Sequence, residues 1–174
     1  MSDPKISSRL RWLWLTLGVI LLDRATKAWF EIQTPEGFRQ EIIHNLAYLV
    51  HSRNPGMAFG ILSDSPAPWV RVLLVLGSAV AICAMAWLLA SAHTGGRAGA
   101  AGLALLLGGA AGNLTDRILH GAVTDFLEIW LGSYHWPAFN VADSAITFGA
   151  ILVILEMFFG AHAHAAEASR KQAG

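Results

Sequence analysis

The sequence predicts a membrane α-helical fold of four transmembrane helices with a small extracytoplasmic β-sheet, as a single integral-membrane domain over residues 1–174. Three observations carry this. Apolar residues make up 55% of the chain and charged residues only 14%, against roughly 25% charged in soluble domains, and the mean hydropathy is +0.49. Four apolar stretches each match the ~20 residues, within a range of roughly 17–25, that a helix needs to cross the hydrocarbon core. The segments between them are too short for a separate soluble domain but rich in branched and aromatic residues.

The first stretch runs from about Trp12 to Phe30. Lys5, Arg9 and Arg11 precede it, as in a signal peptide, but Asp23, Arg24 and Lys27 follow with no small-x-small cleavage site, so a retained span is expected. The others cover about residues 69–90, 98–114 and 141–159. Lipid offers no partner for backbone polar groups, so all four are expected to be helices. Residues 31–68 and 115–140 form the extracytoplasmic connections. In the first, Thr34-Pro35-Glu36-Gly37 signals a turn and Glu41 to His51 has strand-like composition. In the second, Val123, Asp125, Leu127 and Ile129 share a face if the segment is a strand.

Lys and Arg are distributed unevenly between the short loops. Lys5, Arg9, Arg11, Arg97, Arg170 and Lys171 fall on one side, and Arg39 and Arg53, with Arg71 and Arg117 near helix ends, on the other. The excess predicts both termini in the cytoplasm. Trp12, Trp14 and Trp87 then lie at the inner interface and Trp69, Trp130 and Trp136 at the outer one. With 12 basic and 12 acidic residues, net charge gives no sign of nucleic-acid binding. A single cysteine, Cys83, excludes a disulfide within the chain.

Ionisable side chains in or beside membrane spans are costly, which makes each a functional candidate. Asp23 and Lys27, four apart, share a helix face; an ion pair that lets the helix insert explains them equally well. Arg24 points elsewhere and is expected to snorkel to the outer headgroups. The third span ends in Gly108-Gly109-Ala110-Ala111-Gly112-Asn113-Leu114-Thr115-Asp116-Arg117. Gly108 and Gly112 suit close helix packing, and Asn113, Asp116 and Arg117 suit a hydrogen-bonded scaffold at the outer end. The fourth span opens Pro137-Ala138-Phe139-Asn140-Val141-Ala142-Asp143-Ser144. Asn140 is a good N-cap, and Asp143 suits the first turn and the helix dipole. Alone, that capping role is the simpler reading of Asp143.

Asp125 changes the balance. It lies in an otherwise apolar segment delivered to the same membrane face as Asp143. Two close carboxylates cannot easily both ionise, so one keeps its proton. The ionised member draws a proton from water and the protonated member polarises a carbonyl, with no metal or cofactor required. Asp143, beside a helix N-terminus, is expected to be the ionised one. Other chemistries find less support. There is no GxSxG elbow and no HExxH. Ser63, Ser65, Ser78 and Ser144 have no companion arrangement. Cys83 sits mid-span, where packing is its simpler role. His44, His51, His120 and His135 lack ligand spacing, and His162 and His164 fit a solvated tail better than a metal site.

Five blocks occur in order: Asp23-Arg24-Ala25-Thr26-Lys27; Asn54-Pro55-Gly56-Met57-Ala58-Phe59; the Gly108 to Arg117 run; Val123-Thr124-Asp125-Phe126; and Pro137 to Ser144. In these the chain resembles the lipoprotein signal peptidases (signal peptidase II) over nearly its whole length. The resemblance implies an inner-membrane aspartic endopeptidase with its site near the periplasmic face. Such an enzyme cleaves prolipoproteins before a diacylglyceryl-modified cysteine, with Asp125 and Asp143 catalytic. It implies that Asp23, Lys27, Asn54, Gly56, Asn113, Asp116, Arg117 and Asn140 bind substrate or support the site. Asn54 and Asn140 would bond substrate backbone or the dyad, and Arg117 would help to hold the site. It also implies membrane lipids and globomycin-type cyclic peptide inhibitors as partners, no metal or other cofactor, and a short outer helix or loop able to cover the site. One departure stands out: the second block is commonly N-x-G-A-A-F, and this chain has Met57 and, at the variable position, a stiffening Pro55. A proton-coupled transporter would carry such carboxylates nearer the midplane and within repeats, and a membrane scaffold packed through its glycines leaves the paired aspartates unexplained.

Overall fold

The computed structural model describes residues 11–56, 68–91 and 94–160. Within them lie α1 (Trp12–Gln33), β1 (Arg39–Ile43), β2 (Ala47–Asn54), α2 (Pro68–Ser91), α3 (Arg97–Leu119), β3 (Val123–Leu131), β4 (Tyr134–Phe139) and α4 (Val141–Leu155), which runs on into a π-helical turn, Glu156–Gly160. The expectations placed on residues 1–10, 57–67 and 161–174 lie outside the described residues. They include those for Lys5, Arg9, Met57, Ala58, Phe59, Ser63, Ser65, His162, His164, Arg170, Lys171 and much of the covering loop.

Among the described residues, three helical stretches are long and apolar enough to cross a membrane: Trp69–Ser91, Arg97–Leu119 and Val141–Phe159. α1 has the length, 22 residues, but carries Asp23, Arg24, Lys27 and Glu31 in its second half. α3 is the central helix, and its glycines explain why. A Cβ on Gly109 would lie 2.4 Å from the Ala142 carbonyl oxygen of α4, and one on Gly108 would lie 2.8 Å from Val19 Cβ of α1. Only a bare backbone lets both neighbours approach this closely. At the end remote from the sheet, Leu89, Ala100, Leu103 and Leu107 form a buried apolar cluster, with Trp12 and Val153 packed against it.

The four strands form one antiparallel sheet in the order β1-β2-β3-β4. The strand-like run from Glu41 to His51 is split by a reversal in which Asn45 takes φ 54°, a conformation Asn tolerates better than most residues. β3 follows the expected segment, while β4 had no sequence forecast. A Gly132-Ser133 turn, with Gly132 at φ +64°, sends the chain back, and Pro137 is tolerated because β4 lies at the sheet edge. Val123, Ile129 and Leu131 of β3 line one cavity, as the predicted alternation requires. Phe126 of the other face stacks on Phe30 of α1, with ring centroids 4.7 Å apart. α3 runs one turn beyond the forecast end of its span before Gly121, at φ +79°, turns the chain.

Candidate active site

The sheet and three helix ends bring the polar residues together. β3 and β4 pair Leu127 with Phe139, so the next residue, Asn140, leaves the ladder beside Asp125 and starts α4. Asn140 caps that helix: its Oδ1 accepts from the Asp143 backbone N–H at 2.9 Å, and its own backbone N–H donates to Asp143 Oδ2 at 3.3 Å. This reciprocal capping box realises the expected cap. The same side chain also reaches the other carboxylate, with Asn140 Nδ2 donating to Asp125 Oδ1 at 2.7 Å. Capping and pairing are therefore one arrangement, with Asn140 as the joint.

Asp125 is buried at 2% exposure. Its second oxygen accepts from Asn54 Nδ2 at 3.3 Å. β2 and β3 explain this contact, because Asn54 pairs with Val123 and so lies diagonally across from Asp125 on the same sheet face. Burial, and then the negative charge of Asp143, push the Asp125 carboxyl up to about 7, against the pull of Asn140, Asn54 and Lys27. Asp143, half-buried, accepts at Oδ1 from Asn113 Nδ2 at 2.8 Å.

A second layer stands behind the asparagines. Lys27 is fully buried, and its ammonium meets Asp23 Oδ2 at 2.7 Å, Asp116 Oδ2 at 3.0 Å and Asn113 Oδ1 at 3.0 Å. An ammonium has three N–H donors, so all are engaged. Asp23 Oδ1 in turn accepts from the Ala142 backbone N–H at 2.9 Å, tying α1 to the first turn of α4. The expected Asp23–Lys27 pair is thus present within a larger network. Arg24 corrects its forecast: its guanidinium pairs with Asp116 Oδ1, because α3 places a buried carboxylate within reach. The scaffold expected of Asn113, Asp116 and Arg117 also divides. Asp116 serves Lys27 and Arg24, whereas Arg117 turns away and donates from Nη2 to the Gly56 carbonyl at 2.8 Å. Gly56 N–H donates to Asn54 Oδ1 at 3.0 Å, which fixes the amide that faces Asp125.

Sequence reasoning missed two contributors. Thr124 is fully buried. Its N–H donates to Asp116 Oδ2 at 3.3 Å, its carbonyl accepts from Asn140 Nδ2 at 3.3 Å and its hydroxyl donates to Glu31 Oε1 at 2.7 Å. Its place before Asp125 was the only available signal. Glu31, the other, lies one helical turn beyond Lys27. Glu31, Asp116 and His120 also bring three potential ligand atoms within 4.8 Å of one another, an encounter the spacing of the histidines gave no hint of. Asp116, however, is already neutralised by Lys27 and Arg24, which leaves little to attract a cation.

Beside the carboxylates lies a cavity of about 420 Å³. Asn54, Asn113, Arg117 and Asp143 form its polar end, and Ile129, Leu131, Trp136, Ile146 and Phe148 are among its apolar walls. A pair of carboxylates with unequal surroundings, one of them lining an apolar cavity, can divide the tasks of proton donor and proton acceptor.

Comparison with known proteins identifies the family and the fold. The family model described as signal peptidase (SPase) II matches residues 15–159. A lipoprotein signal peptidase of Xylella fastidiosa (strain M12) is 40% identical over 165 residues, covering 93% of this chain and 97% of that protein. One from Solibacter usitatus is 41% identical over 150 residues, covering 85% and 92%. A solved bacterial membrane enzyme superposes with a TM-score of 0.75 at 27% identity, covering 88% of each chain. A second shares the fold with a TM-score of 0.76 at 24% identity, covering 88% of this chain and 94% of that one.

Proposed function

The chain belongs to the signal peptidase II family, and from that premise we propose that it is an aspartic endopeptidase that removes the signal peptide from prolipoproteins. The bond hydrolysed is the one before a diacylglyceryl-modified cysteine, and Asp125 and Asp143 perform the hydrolysis. The observation that carries the assignment of the dyad is Asn140, which bonds Asp125 through its side chain and Asp143 through both its side chain and its backbone.

Asp143 is the ionised member. It accepts two N–H donors at the N-terminus of α4, where the helix dipole favours an anion. Asp125 holds the proton, on Oδ2, where its hydrogen bond is the longer. Asp143 takes a proton from water as the hydroxyl adds to the scissile carbonyl, and Asp125 donates a hydrogen bond to the developing oxyanion. Collapse of the tetrahedral intermediate breaks the C–N bond, and the proton held by Asp143 passes to the leaving amine. No covalent enzyme intermediate is formed.

The apolar walls of the cavity suit acyl chains and apolar signal-peptide residues, and lipid anchoring of the cysteine holds the bond near the headgroup level. In this reading α1 is the fourth span, with its charges neutralised internally by Lys27, Asp23, Asp116 and Arg24. Both termini are cytoplasmic, and the sheet lies on the periplasmic side of the inner membrane. Globomycin-type cyclic peptides would bind in the same cavity. The test is cleavage of a diacylglyceryl prolipopeptide by purified protein: Asp125→Asn and Asp143→Asn should each abolish turnover while retaining the fold. Substantial cleavage by either folded variant sinks the dyad.

A further inference from the structure

We propose that Arg71, at the start of α2, is a positioning residue for the dyad, acting through the C-terminal end of α3, Arg117, Gly56 and Asn54. The inference rests on the peptidase reading above. The last carbonyls of a helix have no partners within it. In α3 the Arg117 carbonyl accepts from the Gly121 backbone N–H at 3.2 Å and also from Arg71 Nε at 3.1 Å, and the Ile118 carbonyl accepts from Arg71 Nη2 at 3.0 Å. The rigid fork of a guanidinium suits two adjacent acceptors, and its charge suits the negative end of the helix dipole. A Cβ on Gly121 would lie 3.1 Å from Arg71 Nη1, so the glycine that ends α3 also leaves room for the clamp. Val70 beside it is buried at 2% exposure, which fixes the turn from which Arg71 extends.

The clamp matters because of what Arg117 does next. Arg71 holds the backbone of Arg117, whose side chain holds the Gly56 carbonyl. Gly56 N–H holds Asn54 Oδ1, and Asn54 Nδ2 bonds Asp125. Every step is a hydrogen bond of 2.8–3.3 Å. Arg71 therefore sets, through one helix end, the amide that orients the proton-bearing carboxyl. A helix clamp with no further role would change stability alone.

The experiment uses full-length protein in detergent with a diacylglyceryl prolipopeptide and compares wild type, Arg71→Met, Arg71→Lys, Asn54→Ala and the double variant Arg71→Met/Asn54→Ala. In Arg71→Met, kcat should fall about tenfold, the scale expected when a reacting group is held less precisely, with KM within about twofold. Its basic pH limit should move up, because burial and Asp143 push the Asp125 carboxyl up while Asn140, Asn54 and Lys27 hold it down, and only the Asn54 hold is loosened. Arg71→Lys should melt like wild type yet recover kcat only in part, since one ammonium cannot match the fork. The double variant should be no worse than Asn54→Ala, as two steps on one path are not additive. A folded Arg71→Met with wild-type kcat and pH profile, or a fully additive double variant, overturns the proposal. So does an Arg71→Lys that fails to fold, which would make the role structural. Absence of cleavage by wild type overturns the peptidase reading instead, and this inference with it.

Discussion

Replacing the proton-bearing carboxyl should abolish activity and make the protein increasingly stable relative to wild type as pH rises from about 4 to about 7. Asp125 titrates near 7 in the folded chain, against an ordinary value of 3.8. Below the ordinary value the carboxyl is neutral whether the chain is folded or unfolded, and the folded state bears no penalty. As pH rises towards 7 the unfolded chain releases the proton while the folded chain retains it, so stability falls. Above 7 the folded chain holds a buried charge beside Asp143 and the loss is complete. At about 1.4 kcal/mol per pH unit, the penalty reaches roughly 4 kcal/mol. Asp125→Asn carries none of it. Its amide oxygen keeps one of the two donors that the carboxyl accepts, whereas its NH2 cannot accept from the other; that cost does not vary with pH, so the low-pH comparison calibrates the substitution itself. Between pH 4 and pH 8.5, thermal unfolding in detergent should raise the variant's melting temperature relative to wild type by on the order of 10 °C, taking about 2–4 °C per kcal/mol for a chain of this size. A melting difference that stays constant from pH 4 to 8.5 would refute the argument that burial and Asp143 hold the proton on Asp125.

Two further outcomes follow from the packing behind the dyad. Lys27→Met should cost roughly 3–5 kcal/mol, the scale for breaking a buried ion pair, read as lost folded yield and a lowered melting temperature. Adding Asp23→Asn should recover part of it by removing an orphaned charge. Gly109→Ala places a Cβ 2.4 Å from the Ala142 carbonyl oxygen and must push α4 away; kcat for prolipopeptide cleavage should fall on the order of 10²-fold. Gly77→Ala, where a Cβ meets nothing within 4 Å, should leave kcat unchanged.

What was legible in the sequence divides along the distance over which each interaction is decided. The long apolar helices were legible because composition alone decides them. The Asn140 cap and the Asp23–Lys27 pair were legible because both partners lie within one helical turn. The sheet was legible in part: β3 announced itself through alternation, whereas β4 carries a proline and exposed aromatics and exists because β3 offers it an edge. The partner of Arg24 lies 92 residues away on α3, and only the glycine-mediated approach of α1 and α3 decides that it finds Asp116 before it finds solvent. Thr124 was hidden for the same reason, since its three partners come from α1, α3 and the start of α4.

The two carboxylates owe their unequal surroundings to that long-range packing. Asp143 is linked to a buried cation by one amide: Lys27 donates to Asn113 Oδ1, and Asn113 Nδ2 donates to Asp143. An amide polarised at its oxygen is a better donor at its nitrogen, so Lys27 strengthens the hydrogen bond that Asp143 accepts from Asn113. Asp125 receives two amides, and neither of them accepts a hydrogen bond from Lys27. Asn54 is braced by Gly56 N–H, and Asn140 accepts from the Asp143 backbone. Lys27 acts on Asp125 as well, and it is burial, the largest influence on that carboxyl, that keeps the proton there, as the proposed hydrolysis requires. The buried network of Asp23, Lys27, Arg24 and Asp116 balances two anions with two cations at one helix crossing. In doing so it lets α1 carry charge into an apolar bundle and makes a symmetric pair of acids unequal.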